Sequence, residues 1–155
     1  MIFNLLKKNE KTEKINEEAN LIKMTALLIH AAKIDENYSE KEKEIIKEFT
    51  FMFIKELKKS DKNLKNDSRE EILNLVKKAE EYESNSNQIL EYTKEVKKMQ
   101  PDKKKLVLEF LWKIVLSDDK SDVYENTLMR RICGLLYVSD QLSGEIKLNV
   151  LKGKK

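Results

Sequence analysis

The chain has 155 residues, the length of about one domain, with three glycines, one proline and 38% charged residues. So few chain breakers exclude a many-stranded sheet and favour helices. The 31 basic and 28 acidic residues are interspersed, so the net charge of +3 forms no large field of one sign, which argues against nucleic acid as a partner.

The sequence pattern predicts an apolar tip followed by a charged linker over residues 1–14. It predicts a helical domain over residues 15–155. The apolar residues of the tip are Ile2, Phe3, Leu5 and Leu6. Two interpretations of the tip stay open: it packs on the core, or it makes at most weak membrane contact through residues 1–8. The opening lacks the apolar core of a signal peptide, and no later stretch has about 18 consecutive apolar residues. We therefore expect a soluble, cytoplasmic protein.

The first half of the chain predicts three helices. Apolar residues recur at steps of three and four over residues 15–34, which predicts a helix that faces a core. Residues 35–39, DENYS, predict a turn, and the same periodicity returns from Ser39 to about Lys59. The polar run KSDKNLKND is predicted to be the least structured internal stretch. A third helix is predicted from about Ser68 to the cluster ESNSN.

The second half predicts four more helices. A fourth runs from about Asn87 to Met99. Pro101 suits the first turn of a fifth, because the amide that proline lacks would be unpaired there in any case. A sixth is predicted from Asp122 to about Tyr137, and a seventh over roughly 140–151. The fold class is therefore all-α, a compact bundle of about seven helices joined by short turns.

The two halves also match each other when one is shifted by 83 positions. The aligned apolar pairs include Leu28 with Leu111, Ala31 with Ile114, Ile46 with Met129, Phe49 with Ile132, and Phe53 with Leu136. Each unit is a helix, an acidic turn and a second helix. Because such a hairpin exposes one apolar face, we expect two pseudo-repeated hairpins packed face to face.

The acidic turns have two possible roles, and both stay open. Ser39 and Glu42 have the spacing of a capping box, in which the cap oxygen accepts from the third amide and the glutamate reaches back. Asp122 and Glu125 repeat that spacing. Alternatively, four carboxylates converge on a divalent cation, calcium or magnesium. These candidate metal ligands are Asp35, Glu42, Asp118 and Glu125. Neither turn is an EF-hand loop, which spreads its ligands over twelve residues around a glycine.

Two segments, LLIHAAKIDENYSEKEKEIIKEF and LEFLWKIVLSDDKSDVYENTLMRRICGLLYVSD, resemble the two halves of the TerB family, the tellurite-resistance-associated domain. The family pattern is a helix ending in A-D-G, a short turn, an acidic or serine cap, then glutamate and an apolar helix ending in L-L-x-V/L-S. The resemblance covers about residues 19–151. The chain departs from the pattern where Glu36 and Asp119 replace the glycine and where Ile34 and Ser117 replace the alanine.

The resemblance implies an all-α fold of two similar halves, similar also to the amino-terminal domain of a membrane-anchored DnaJ-like co-chaperone. It implies a stress-response role without known catalysis, and suspected metal binding at the four acids named above. It carries no prediction that tellurite itself binds. We therefore expect a non-enzymatic domain that acts through protein partners, with a divalent cation at the two turns as its candidate ligand. The alternative is a co-chaperone-like interaction adaptor with no metal.

The remaining reactive residues predict no catalytic site. The motifs GxxxxGK, GxGxxG, HExxH and GxSxG are absent from the sequence. The single cysteine, Cys133, excludes an intramolecular disulfide and a multi-cysteine zinc site, and we expect it to be buried as a small hydrophobe. His30 is expected to be a satisfied or half-exposed helix residue, because no second histidine supports a metal site. Trp112 is expected to pack with its indole N–H near a polar rim.

Overall fold

The computed structural model describes residues 18–34, 38–58, 69–85, 89–118 and 123–153. Within these ranges the chain is helical and contains no strand. The helices are α1 over residues 18–32, α2 Glu40–Lys58, α3 Arg69–Asn85, α4 Ile89–Lys97, α5 Pro101–Val115, α6 Val123–Leu135 and α7 Asp140–Gly153, with a 3-10 turn at Leu116–Asp118. The all-α prediction is confirmed. The predicted tip and the polar run KSDKNLKND lie outside the described residues.

The helix ends repeat at the shift that the sequence predicts. Helices α1 and α5 end at residues 32 and 115, and α2 and α6 begin at residues 40 and 123, so both pairs are 83 positions apart. All members of the five aligned apolar pairs listed above are buried. Helix α2 packs against α5, and the ring centroids of Phe49 and Phe110 lie 5.3 Å apart. The two hairpins therefore share one core.

Three further helices pack on the two hairpins. Helix α3 packs along α2, α4 packs on α6, and α7 packs on α5 and α6. The Tyr38 hydroxyl at the start of α2 donates to Glu80 Oε1 in the second half of α3 at 3.2 Å, whereas Phe51, later in α2, faces the same groove as Arg69, the first residue of α3. Helices α2 and α3 are therefore antiparallel. None of the helices in the described ranges combines the length and apolar character that crossing a membrane requires.

Helix α6 ends at Leu135, earlier than the predicted end near Tyr137. Tyr137 has φ 57, the left-handed conformation, which ends the helix. The Val138 amide donates to the Cys133 carbonyl at 2.9 Å, and the Tyr137 amide donates to the Gly134 carbonyl at 3.3 Å. These two bonds form a Schellman motif. In the sequence LLYVS, Tyr137 is thus the residue in the left-handed conformation. The Val138 amide pairs with a carbonyl of the last helical turn.

Candidate functional site

The start of α2 is a capping box, as its sequence predicts. The Glu42 amide donates to Ser39 Oγ at 3.2 Å, and the Ser39 amide donates to Glu42 Oε1 at 2.9 Å. The Ser39 hydroxyl donates to the same carboxylate oxygen at 2.9 Å. Two amides that the start of a helix leaves without intrahelical partners are satisfied in this way. The capping role is therefore confirmed for the first acidic turn.

The Glu42 carboxylate is buried more deeply than capping requires. Only 2% of the residue is exposed. Burying a carboxylate is unfavourable unless hydrogen bonds and opposite charge offset the loss of water. The bonds from Ser39 and the positive end of the α2 dipole supply part of that compensation. A carboxylate oxygen in such a place is also the kind of ligand that calcium and magnesium bind.

A hydrogen bond joins the two acidic turns. Lys41 Nζ donates to the Ser117 carbonyl at 3.2 Å. Ser117 is buried, and its hydroxyl donates to the Ile114 carbonyl at 2.7 Å, which secures the end of α5. Because Lys41 precedes Glu42 and Ser117 precedes Asp118, the backbones of the two turns lie within one lysine side chain of each other. The serine that departs from the family pattern thus takes part in this junction.

Of the four predicted metal ligands, Glu42 is the one whose side chain is among the described residues. Asp118 ends the 3-10 turn and Glu125 lies in the first turn of α6, but the positions of their side chains lie outside the description. Asp35 lies outside it entirely, as does Asp122 of the second predicted capping box. In the described part of the chain, no three His, Cys, Asp or Glu side chains are grouped to bind a metal ion. The four-acid site stays a prediction.

Tyr38 fastens the start of α2 to α3. Its hydroxyl donates to Glu80, and the ammonium of Lys43 lies 5.1 Å from the centroid of its ring. Burial, followed by the negative charge of Glu80, raises the pKa of Tyr38 far above the usual range of a phenol. The neutral phenol is thus favoured, and it is the form that donates to Glu80.

A second polar cluster, around Glu83 near the end of α3, was missed by the sequence reasoning. Glu83 is 4% exposed, and its Oε2 accepts from Lys33 Nζ at 2.7 Å. Nδ1 of the half-buried His30 lies 3.6 Å from the other carboxylate oxygen. The Tyr92 hydroxyl donates to the Glu83 carbonyl at 3.2 Å. The cluster ties α1, α3 and α4 together, and His30 has the half-buried helical position expected of it.

The spacing of the buried residues in α3 indicates that Glu83 faces the interior. Val76 and Ala79 are buried at a step of three, and Glu83 follows at a step of four on the same face. A charged residue that continues a buried stripe predicts a paired group inside the protein. The partner was not predictable, because Lys33 is 50 residues away in the chain.

The residues around Cys133 are structural. Cys133 is buried, and burial raises the pKa of its thiol, although a hydrogen bond with Ser143 acts in the opposite direction. A raised pKa leaves little of the nucleophilic thiolate. Trp112 Nε1 donates to the Ser143 hydroxyl at 3.1 Å inside the protein. Cys133 is thus buried as expected, and the tryptophan N–H has found its polar partner on α7.

Comparison with known proteins gives one match. Residues 21–148 match the family model described as "Tellurite resistance protein TerB". No curated protein and no solved structure matches the chain significantly. The matched segment includes both hairpins, both acidic turns and most of α7.

Proposed function

This chain belongs to the TerB family, and we propose that it is a non-enzymatic, tellurite-resistance-associated domain that binds calcium or magnesium between its two acidic turns. In this proposal the domain acts through protein partners in the cytoplasm. The candidate ligands are the carboxylates of Asp35, Glu42, Asp118 and Glu125.

The hydrogen bond from Lys41 to the Ser117 carbonyl is the observation that carries the proposal. It brings together two turns that are far apart in the chain and that each contain the same pattern of acids. Glu125 is the third residue of α6, as Glu42 is the third residue of α2, so the two backbones offer equivalent positions to their carboxylates. Carboxylates that converge at this junction, as we propose, would repel each other, and a divalent cation would relieve the repulsion.

Lys41 supports the same interpretation by its charge. Its ammonium lies at the junction of the two turns. In the proposed site its single positive charge would offset at most one of the four carboxylate charges, so a divalent cation would still be favoured there.

Replacing Glu42 with glutamine separates cation binding from capping. A capping box accepts glutamine as well as glutamate at this position, because the amide oxygen still accepts from the Ser39 amide. We expect Glu42→Gln to unfold at nearly the same temperature as the unaltered chain when no divalent cation is present. In millimolar calcium or magnesium, the unaltered chain should melt at a higher temperature, by mass action, and Glu42→Gln and Asp118→Asn should lose most of that increase.

Glu44→Gln is the matched control, because Glu44 is an exposed acid on the same helix, outside the turn. It should keep the full cation-dependent increase. If neither calcium, magnesium nor manganese raises the melting temperature at millimolar concentration, the cation proposal is wrong. That result would favour the alternative, a co-chaperone-like adaptor with no metal.

A further inference from the structure

A groove of about 910 Å³ lies between the antiparallel helices α2 and α3. Its apolar lining consists of Ile45, Phe51, Ile72 and Leu73. Phe51 is 39% exposed and Leu73 is 50% exposed. Isolated exposed apolar side chains are common, but these two face a single groove from adjacent helices and form one apolar surface.

The charges around the groove do not select an acidic or a basic ligand. Lys41, Lys47 and Arg69 contribute positive charge and Glu44 and Glu48 contribute negative charge, so the two signs nearly balance. A ligand recognised at such a surface is held by its apolar side chains, with charged residues beside them. The occupant should therefore be a short apolar segment with flanking charges.

Two ion pairs show how α1 is oriented relative to α3. Lys78 Nζ lies 3.1 Å from Glu18 Oε1, near the beginning of α1, and Lys33 near its end pairs with Glu83. From the end of α1 to its beginning, the partner on α3 therefore changes from Glu83 to Lys78, which is closer to the beginning of α3. Glu18, the first described residue, thus lies beside α3, and the direction of α1 leads from there towards the first half of α3, which contains Leu73.

We propose that the tip of this same chain, residues 2–6, binds the groove between α2 and α3. The tip places Ile2, Phe3, Leu5 and Leu6 at steps that bring apolar side chains to one face of a helical turn, and lysines follow them. This assignment is independent of the cation proposal.

The residues between the tip and Glu18 are numerous enough for the tip to reach the groove, and they keep the tip close to it. The twelve residues from Leu6 to Glu18 span up to about 40 Å when extended, whereas Lys78 and Leu73 are separated by about 7.5 Å along α3. A short tether also gives the tip a local concentration of roughly millimolar at the groove. At that local concentration, a contact with a dissociation constant well below roughly one millimolar would be occupied most of the time.

Thiol labelling of the full chain tests this proposal. In a Cys133→Ser background, Leu73→Cys places a single thiol in the groove, and Leu148→Cys places one on α7, where Leu148 is 58% exposed. Adding Phe3→Asp should weaken binding of the tip. We expect Phe3→Asp to increase the rate of maleimide labelling at position 73 several-fold and to leave the rate at position 148 unchanged. Equal rates at position 73 with and without Phe3→Asp would overturn the proposal.

Disulfide trapping gives a second measurement. In the same background, Phe3→Cys with Leu73→Cys should form an intramolecular disulfide in oxidised glutathione about tenfold faster than Phe3→Cys with Leu148→Cys, because binding of the tip raises its local concentration at the groove. Similar rates for the two pairs would contradict the proposal. Rapid formation of a disulfide dimer by Leu73→Cys alone would also contradict it, because the groove would then bind a second copy.

Discussion

The two hairpins agree in the residues that they bury and differ in how their helices are held and ended. Phe49 in α2 and Ile132 in α6 occupy equivalent positions, and both are fully buried. Lys33 pairs with Glu83 on α3, whereas the equivalent residue of the second hairpin is the apolar Leu116. Ile54 lies inside α2, whereas its equivalent, Tyr137, has the left-handed conformation after α6. Apolar positions repeat because both hairpins cover one core. Polar and terminal positions differ because each hairpin meets a different additional helix.

The largest expected effect tests the shared core. Phe49→Ala should lower the free energy of unfolding by about 3–5 kcal/mol and Ile132→Ala by about 2–5 kcal/mol, since each leaves a cavity in a fully packed site. Phe51→Ala, on the exposed side of α2, should lower it by less than about 1 kcal/mol. Urea unfolding followed by circular dichroism measures all three. If Ile132→Ala were as mild as Phe51→Ala, the second hairpin would not share the core of the first.

The second-largest effect tests the ion pair between Lys33 and Glu83. The second hairpin has the apolar Leu116 at the position equivalent to Lys33. Lys33→Met leaves the carboxylate of Glu83 buried with its nearest cation removed, and we expect a loss of about 1–3 kcal/mol in the free energy of unfolding. The value lies below that of a fully buried pair because the Lys33 side chain is partly exposed. Lys47→Met is the control. Its pair with Glu44 is exposed, so the change should stay below about 0.5 kcal/mol.

A double substitution makes this test sharper. Lys33→Met combined with Glu83→Leu removes both charges and keeps apolar volume, so it should recover most of the stability that Lys33→Met loses. Failure to recover would mean that Glu83 stabilises the protein through contacts other than Lys33, such as the one with His30.

Local features of the fold were predictable from the sequence, and non-local ones were not. The helix positions follow from apolar spacing, and the capping box of α2 follows from two residues three positions apart. Glu83 shows the limit, because the position of Lys33 beside it depends on how α1 crosses α3. The junction of Lys41 with Ser117 is non-local in the same way, since it requires α2 to pack on α5.

The third effect compares two serine caps. The Ser139 hydroxyl accepts from the Leu142 amide at 3.2 Å, as Ser39 does from Glu42, but only the Ser39 hydroxyl also donates to a carboxylate, that of Glu42, because leucine offers no acceptor. Ser39→Ala should therefore lower the free energy of unfolding by about 1–2 kcal/mol, and Ser139→Ala by about 0.5–1 kcal/mol. Thermal melting at matched ionic strength measures the difference. Equal losses would show that the hydrogen bond from the Ser39 hydroxyl to the Glu42 carboxylate adds nothing to stability.

The smallest effect is expected at Tyr137, and the same change at the equivalent position of the first hairpin should have the opposite sign. Tyr137→Gly should raise the free energy of unfolding by about 0.5–1 kcal/mol, because a left-handed residue other than glycine is strained by about 1–2 kcal/mol. Part of this gain is lost with the contact between the Tyr137 ring and the Lys97 ammonium, 4.4 Å from its centroid. Ile54→Gly should instead destabilise by more than about 2 kcal/mol, since it removes a buried side chain from the interior of a helix.

Both glycine variants can be measured in one urea series, with Tyr137→Ala as the control. Alanine also removes the tyrosine ring but keeps the strain of a side chain in the left-handed conformation, so it should not stabilise the protein. A gain for Tyr137→Ala equal to that for Tyr137→Gly would assign the effect to the loss of an exposed aromatic ring. A gain for glycine alone would show that the second hairpin ends its helix at this residue by backbone geometry, at the position where the first hairpin continues its helix through a buried isoleucine.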